Sequence, residues 1–298
     1  MKRLIKAILF TACLSFIFIS GCKKKETVEV DNETQSSVDN AVADQEYAAI
    51  VPAVNNHAIN TKGTGVAGRF SSTASSPCDT LTWLNRATAD TNLVNGKYVK
   101  APLYELNLAG ACGSSFSDGK IRTGKWTIRI TGPMKNVGSQ MIIKLVNHKT
   151  NSTITYACDS MVITTISSST LSSTFNIKLI NGVCSSSSWT IKYSSDRTLT
   201  HYIHGNPYGS DPLTSIYGTA NGINRQGRAF TVNIPQNTPL TKYKSCQYIQ
   251  KGILTLTPEG FKERIVDFGY SISPNVAGGC DDDASFTVNG NTVAFKLK

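Results

Sequence analysis

Wherever apolar residues are dense in this chain they alternate with polar ones, and that period of two restricts the fold more than any other feature. In Lys125-Trp126-Thr127-Ile128-Arg129-Ile130 the tryptophan and both isoleucines fall on one face, with Lys125, Thr127 and Arg129 on the other. Successive side chains of an extended strand point to opposite sides, so this is the pattern of a half-buried antiparallel strand. Phe175, Ile177 and Leu179 repeat it and run into Asn181-Gly182, a dipeptide that predicts a turn, with Trp189, Ile191 and Tyr193 on the returning side. Phe286 and Val288 lead into Asn289-Gly290, after which Val293, Phe295 and Leu297 alternate, which predicts a hairpin because both turn residues accept positive φ. Further strand-like runs cover 141–146, 153–157, 230–234, 252–257 and 264–270, and the Ser-rich stretches 167–173 and 185–188 read as loops. No amphipathic helix emerges. The expectation is an all-β fold of antiparallel strands, in a sandwich or a long curved sheet, rather than parallel βαβ units.

The N-terminus carries an address. Lys2, Arg3 and Lys6 precede an apolar run from Ala7 to Ile19 that closes on Ser20-Gly21-Cys22, the three-part layout of a secretory signal. Thirteen residues at about 1.5 Å each reach roughly 20 Å, too short for about 30 Å of hydrocarbon. The ending Ile19-Ser20-Gly21-Cys22 resembles the lipobox of bacterial lipoproteins, which implies cleavage before Cys22 and a lipid on its thiol. More than one acyl chain suffices for stable anchoring. From Lys23 to about Gly65 there is a single aromatic residue, Tyr47, and no hydrophobic periodicity, which predicts a disordered stalk. Between Lys23 and Thr61, three basic residues face seven acidic ones.

The remainder, Lys62 to Lys298, holds 24 basic and 13 acidic residues, a net charge of +11. Such a surface could attract acidic polysaccharide or phosphorylated glycolipid, but its cations are scattered and not interleaved with aromatics, which argues against nucleic acid. Six cysteines fall here: Cys78, Cys112, Cys158, Cys184, Cys246 and Cys280. An even number in an exported chain predicts disulfides, and the nearest two, 26 positions apart, do not have zinc-ligand spacing. Of 15 possible connectivities, sequential pairing is favoured by a regularity, since Cys78 to Cys112 and Cys246 to Cys280 both span 34 positions. The closing cysteines sit in like contexts, Ala109-Gly110-Ala111-Cys112 and Ala277-Gly278-Gly279-Cys280, which suggests two related modules.

Catalytic patterns are sparse. There is no G-x-S-x-G elbow, His148 stands alone, and His201 and His204 are three apart in a strand-like segment and would face opposite sides. The body has three glutamates, Glu105, Glu259 and Glu263, and aspartates such as Asp196 and Asp267 offer a glycosidase pair only if two converge. Asp281-Asp282-Asp283 is dense in oxygen ligands but lacks EF-hand spacing, and Asn224-Arg225-Gln226-Gly227-Arg228 reads as a hairpin loop exposing two arginines. No catalytic residue, metal ligand or cofactor is assigned.

Cys112 with Asp118 to Lys125, Gly222 to Arg228 with Phe230-Thr231-Val232, and Cys246 with Ile265 to Gly269 and Cys280-Asp281 resemble an uncharacterised family of Bacteroidota cell-envelope lipoproteins, over roughly Ser76 to Lys298. The resemblance implies an all-β, cysteine-paired, exported body and brings no activity with it. The expected organisation is a signal peptide over 1–21, a lipid-anchored disordered linker over 22–65 and an all-β body over 66–298, with sub-modules 66–150 and 151–298. The expected role is an outer-membrane-anchored lipoprotein, periplasmic or surface-exposed, with a non-enzymatic structural or binding function. Its partners would be the membrane, through covalent lipid, and a glycan or anionic envelope polymer. The alternative is a carbohydrate-binding or glycan-degrading surface protein, suggested by Tyr202 and Tyr208 near His201 and His204.

Overall fold

The computed structural model describes residues 31–59, 79–84, 91–94, 97–100, 102–109, 120–203, 212–246, 248–269 and 280–296. Cys22, Cys78, Cys112, His204 and Tyr208 lie outside them. Among the described residues, one helix, α1 (Gln35–Ile59), precedes β1 (Thr80–Trp83), β2 (Thr91–Val94), β3 (Lys97–Lys100), β4 (Leu103–Ala109), β5 (Arg122–Ile130), β6 (Gln140–Thr150), β7 (Ile154–Ala157), β8 (Ser160–Ser168) and β9 (Ser172–Ser185). They are followed by β10 (Thr190–Tyr202), β11 (Leu213–Ile223), β12 (Ala229–Ile234), β13 (Leu240–Tyr243), β14 (Ile253–Pro258), β15 (Arg264–Asp267), β16 (Asp283–Val288) and β17 (Asn291–Lys296).

Fifteen strands form a single antiparallel sheet in the order β1-β4-β5-β6-β7-β9-β10-β11-β12-β14-β15-β16-β17, with β8 beside β6 and β9 and β13 beside β11. The fold is all-β and takes the long-sheet form. The two halves expected as sub-modules belong to one continuous sheet, and Glu33–Lys298 form one compact unit. On β5 the alternation holds, since Trp126, Ile128 and Ile130 are buried and pair with Leu145, Ile143 and Met141 of β6, whereas on β17 Val293 and Phe295 are exposed like their neighbours. The β16–β17 hairpin turns on Asn289 and Gly290, both at positive φ.

Two expectations are corrected. Asn181-Gly182 is not a turn but lies within β9, where the register to β10 slips between Tyr193 and Ser195 and Asn181 takes a φ of 50°. The chain reverses after Ser185 instead, closed by the Ser186 amide donating to the Trp189 carbonyl. Asn tolerates the left-handed region in a bulge as readily as in a turn, so the dipeptide marks a special φ and not its context. The larger correction concerns the stalk, since α1 occupies 35–59 and is folded into the body. Its Ala43, Tyr47, Ile50 and Val54 follow the i, i+4, i+7, i+11 spacing of one helical face and are at most 3% exposed. Asp39 and Glu46, both 0% exposed, share the burial, and that admixture of charge hides the periodicity.

The sheet bends around this helix. From Asp39 to Glu46 the helix rises about 10 Å. The sheet arginines that grip those residues, Arg225 in the β11–β12 turn and Arg122 on β5, are five strand steps apart, about 24 Å along the sheet. The inward-facing apolar residues of β4 through β14 and the helix form one core cluster.

Candidate functional site

The inner face of the sheet is mostly apolar and carries a row of cations that meets the acids of the N-terminal segment. Arg122 donates to Glu46 with both arms of its guanidinium, Nε to Oε1 at 2.7 Å and Nη2 to Oε2 at 2.9 Å. Arg225 grips Asp39 at 2.6 Å with its charge and 2.7 Å through its backbone amide, and its guanidinium stacks on Trp189 at 4.4 Å. Arg197 reaches Asp44 at 3.4 Å beside Tyr193, whose hydroxyl donates to the same carboxylate at 2.7 Å. Arg264 donates to the Glu33 carbonyl at 2.8 Å. Charges taken out of water are tolerated only when paired and hydrogen-bonded, and the buried Arg122–Glu46 pair meets that condition.

His148 joins the network through a bulge. β6 presents Leu145 inward, and at Asn147, with φ of 52°, the register to β5 slips so that His148 also faces inward. Gly124 lies opposite with φ of 107°, and a Cβ there would stand 2.4 Å from the Asn147 carbonyl oxygen. The Trp126 indole N–H, which can only donate, gives its hydrogen to His148 Nδ1 at 3.2 Å. The imidazole therefore carries its proton on Nε2 and donates it to Glu46 Oε1 at 2.9 Å. Burial pushes the Glu46 carboxyl up, and the hydrogen bonds from His148 and Arg122, with the charge of Arg122, outweigh it and hold the group at about 2. It is an ionised, triply anchored carboxylate, 0% exposed.

Tyr47 pins the middle of the helix. Its ring stacks on Tyr193 at 6.3 Å and meets Tyr156 edge-on at 5.9 Å. Its hydroxyl donates to the Ala157 carbonyl at 2.6 Å and lies 3.2 Å from that of Val183, at the end of the β7–β9 pairing. Burial, then the neighbouring Cys184 and Cys158, raise this phenol far above its ordinary value, so it stays a donor. Gly182 is required beneath it, because a Cβ there would come within 3.0 Å of the hydroxyl and 2.7 Å of the Tyr193 carbonyl.

The expected site residues divide. Cys246 and Cys280 form a disulfide as expected. Cys158 and Cys184 are free thiols, contrary to the pairing expected from parity. Register explains it: Cys184 is directly opposite Tyr156, and Cys158 sits one position beyond Ala157, past the end of that pairing. Burial pushes Cys158 to about 11 and Cys184 to about 12. His201 is exposed, 3.3 Å from the Thr214 hydroxyl. Burial and the nearby Lys244 lower its pKa. Asp196 pairs with Lys178 at 3.0 Å on the sheet surface. Asp282 and Asp283 are held by Lys296 at 2.6 Å, and no group of three metal-ligating side chains occurs among the described residues. Arg225 and Arg228 are not a free basic loop: the first serves Asp39, and the second stacks on Phe261 at 4.4 Å. Glu46, Arg122 and the role of His148 had no sequence signal, because their pairing spans 76 and 102 positions.

One groove opens on the outer face of β9, β10, β11, β12 and β14, with a volume of about 850 Å³. In register across it run Asn181, Ser194, Asn221, Thr231 and Thr257, a row of amides and hydroxyls, and beside them Val183, Lys192, Ile223 and Ala229. The β14–β15 turn, Pro258 to Phe261, forms one wall. Comparison with protein-family models, with curated proteins and with solved structures finds no match. Among the described residues no helix is long and apolar enough to cross a membrane.

Proposed function

We propose that the chain is a bacterial cell-envelope lipoprotein, anchored in the outer membrane by lipid on Cys22, whose body has a non-enzymatic binding role. The address rests on the lipobox-like Ile19-Ser20-Gly21-Cys22 after a short apolar run. The observation that carries the non-enzymatic reading is the sealed Glu46–Arg122–His148 cluster. Its side chains are 0–1% exposed and hydrogen-bond to one another, to Trp126 and to the Lys120 carbonyl, so the cluster holds a helix in place and presents no base or acid of its own to solvent. The folded α1 also shortens the tether. Eleven positions separate Cys22 from Glu33, a reach of at most about 40 Å, in place of a 43-residue stalk.

The test is fractionation of cells expressing the full chain and its Cys22→Ser variant, with mass spectrometry of the mature amino terminus. The reading predicts a diacylglyceryl-modified Cys22 in the outer-membrane fraction and release of the variant from membranes. An unmodified terminus, or a variant that still partitions with membranes, overturns it.

A further inference from the structure

The outer groove deepens this reading, and rests on it in one respect, that the body binds something. We propose that the groove across β9, β10, β11, β12 and β14 is a binding site for an uncharged oligosaccharide. Its shape follows from what is missing on the other side of the sheet. Gly182 and Gly222 present no side chain to the interior. A Cβ on Gly222 would stand 2.4 Å from the Phe230 ring, and one on Gly182 would stand 3.0 Å from the Tyr47 hydroxyl. No side chain fits inward at these two positions, and the Asn181 bulge kinks β9 where the groove lies.

The lining decides the class of ligand. Asn181, Ser194, Asn221, Thr231 and Thr257 occupy adjacent strands in register, about 19 Å across four strand spacings. The Asn181 amide is tied to Asp159 and the Ser194 hydroxyl accepts the Asn181 backbone N–H, so Asn221, Thr231 and Thr257 lead a row of neutral donors and acceptors. Alongside it run Val183, Lys192, Ile223 and Ala229, a row that is apolar except at Lys192. A pyranose chain has this same division, hydroxyls along its edges and C–H groups on its faces, and the length fits several sugars rather than one. An extended peptide would need a free strand edge, whereas each of these five strands is paired on both sides. An anionic polymer would need cations. Lys192 is the one cation among the described lining residues, and Glu259 offsets it.

The experiment applies the purified full chain in detergent to an array of neutral, carboxylated and sulfated oligosaccharides, alongside Thr231→Trp, which fills the groove, and Asn221→Ala, which removes one amide with little steric change. The proposal predicts retention on neutral oligosaccharides, reduced about tenfold or more in both variants, with near-ultraviolet circular dichroism unchanged. Absence of any neutral ligand overturns it, as does binding undiminished in Asn221→Ala and in folded Thr231→Trp. Binding confined to acidic glycans and abolished by salt overturns it too. Shortening of the bound glycan on incubation would instead overturn the non-enzymatic reading and leave the groove assignment standing.

Discussion

Replacing Glu46 by glutamine would keep the shape of the side chain and remove its charge, leaving Arg122 buried without a counter-ion. Breaking a buried pair in this way typically costs about 3 to 5 kcal/mol, so Glu46→Gln is expected to lower unfolding free energy by that amount at pH 7 in a urea titration. The pH dependence follows from the direction of the shift. The folded carboxyl, at about 2, lies below its ordinary 4.5, so its contribution is complete above about pH 4.5 and is lost as the pH falls toward 2. Native protein should therefore lose stability across that window, and Glu46→Gln should lose less. The thiols offer a second check at this scale. With Cys158 at about 11 and Cys184 at about 12, fewer than about one thiol in a thousand is ionised at pH 8. Iodoacetamide should label neither in the native protein and both in denaturant. A disulfide between them would leave neither labelled until a reductant is added.

Among the elements, α1 depends most on a single side chain. Tyr47→Phe removes only the hydroxyl that bridges β7 and β9 and is expected to cost about 1 kcal/mol. Tyr47→Ala empties the slot between Tyr156 and Tyr193 and is expected to cost about 3 to 5 kcal/mol, both read as shifts in the denaturation midpoint. The strands were legible in the sequence because one of their faces is mostly apolar, as at Trp126, Ile128 and Ile130, and the Asn289-Gly290 turn because its chemistry is local. The helix was not legible. Burial usually selects apolar residues, but half of this helix's buried described residues are Ser36, Asp39, Asn40 and Glu46, and the two carboxylates among them are met by arginines from the β11–β12 turn and from β5. His148 was missed for a related reason: a one-residue bulge at Asn147 decides which way it faces, and strict alternation does not foresee it. The groove was illegible as a site. Its residues read singly as ordinary solvated strand positions, and only the register β9-β10-β11-β12-β14 sets them in a row.

At the scale of the whole molecule, the charge of the chain is divided with a purpose that composition alone does not reveal. Seven acidic residues between Lys23 and Thr61 precede a body of net +11, and four of those acids, Glu33, Asp39, Asp44 and Glu46, meet sheet arginines. Within the segment read as a stalk, the helix over 35–59 is thus the axis about which the sheet bends. That claim is tested most directly by hydrogen exchange on the full chain, following the backbone amides of 40–54 against those of β9 and β10. The helix should exchange as slowly as those strands, since opening it exposes Tyr47 and strands Arg122 without a partner. Complete exchange of 40–54 within seconds, while β9 and β10 stay protected, would contradict the account and restore a flexible stalk.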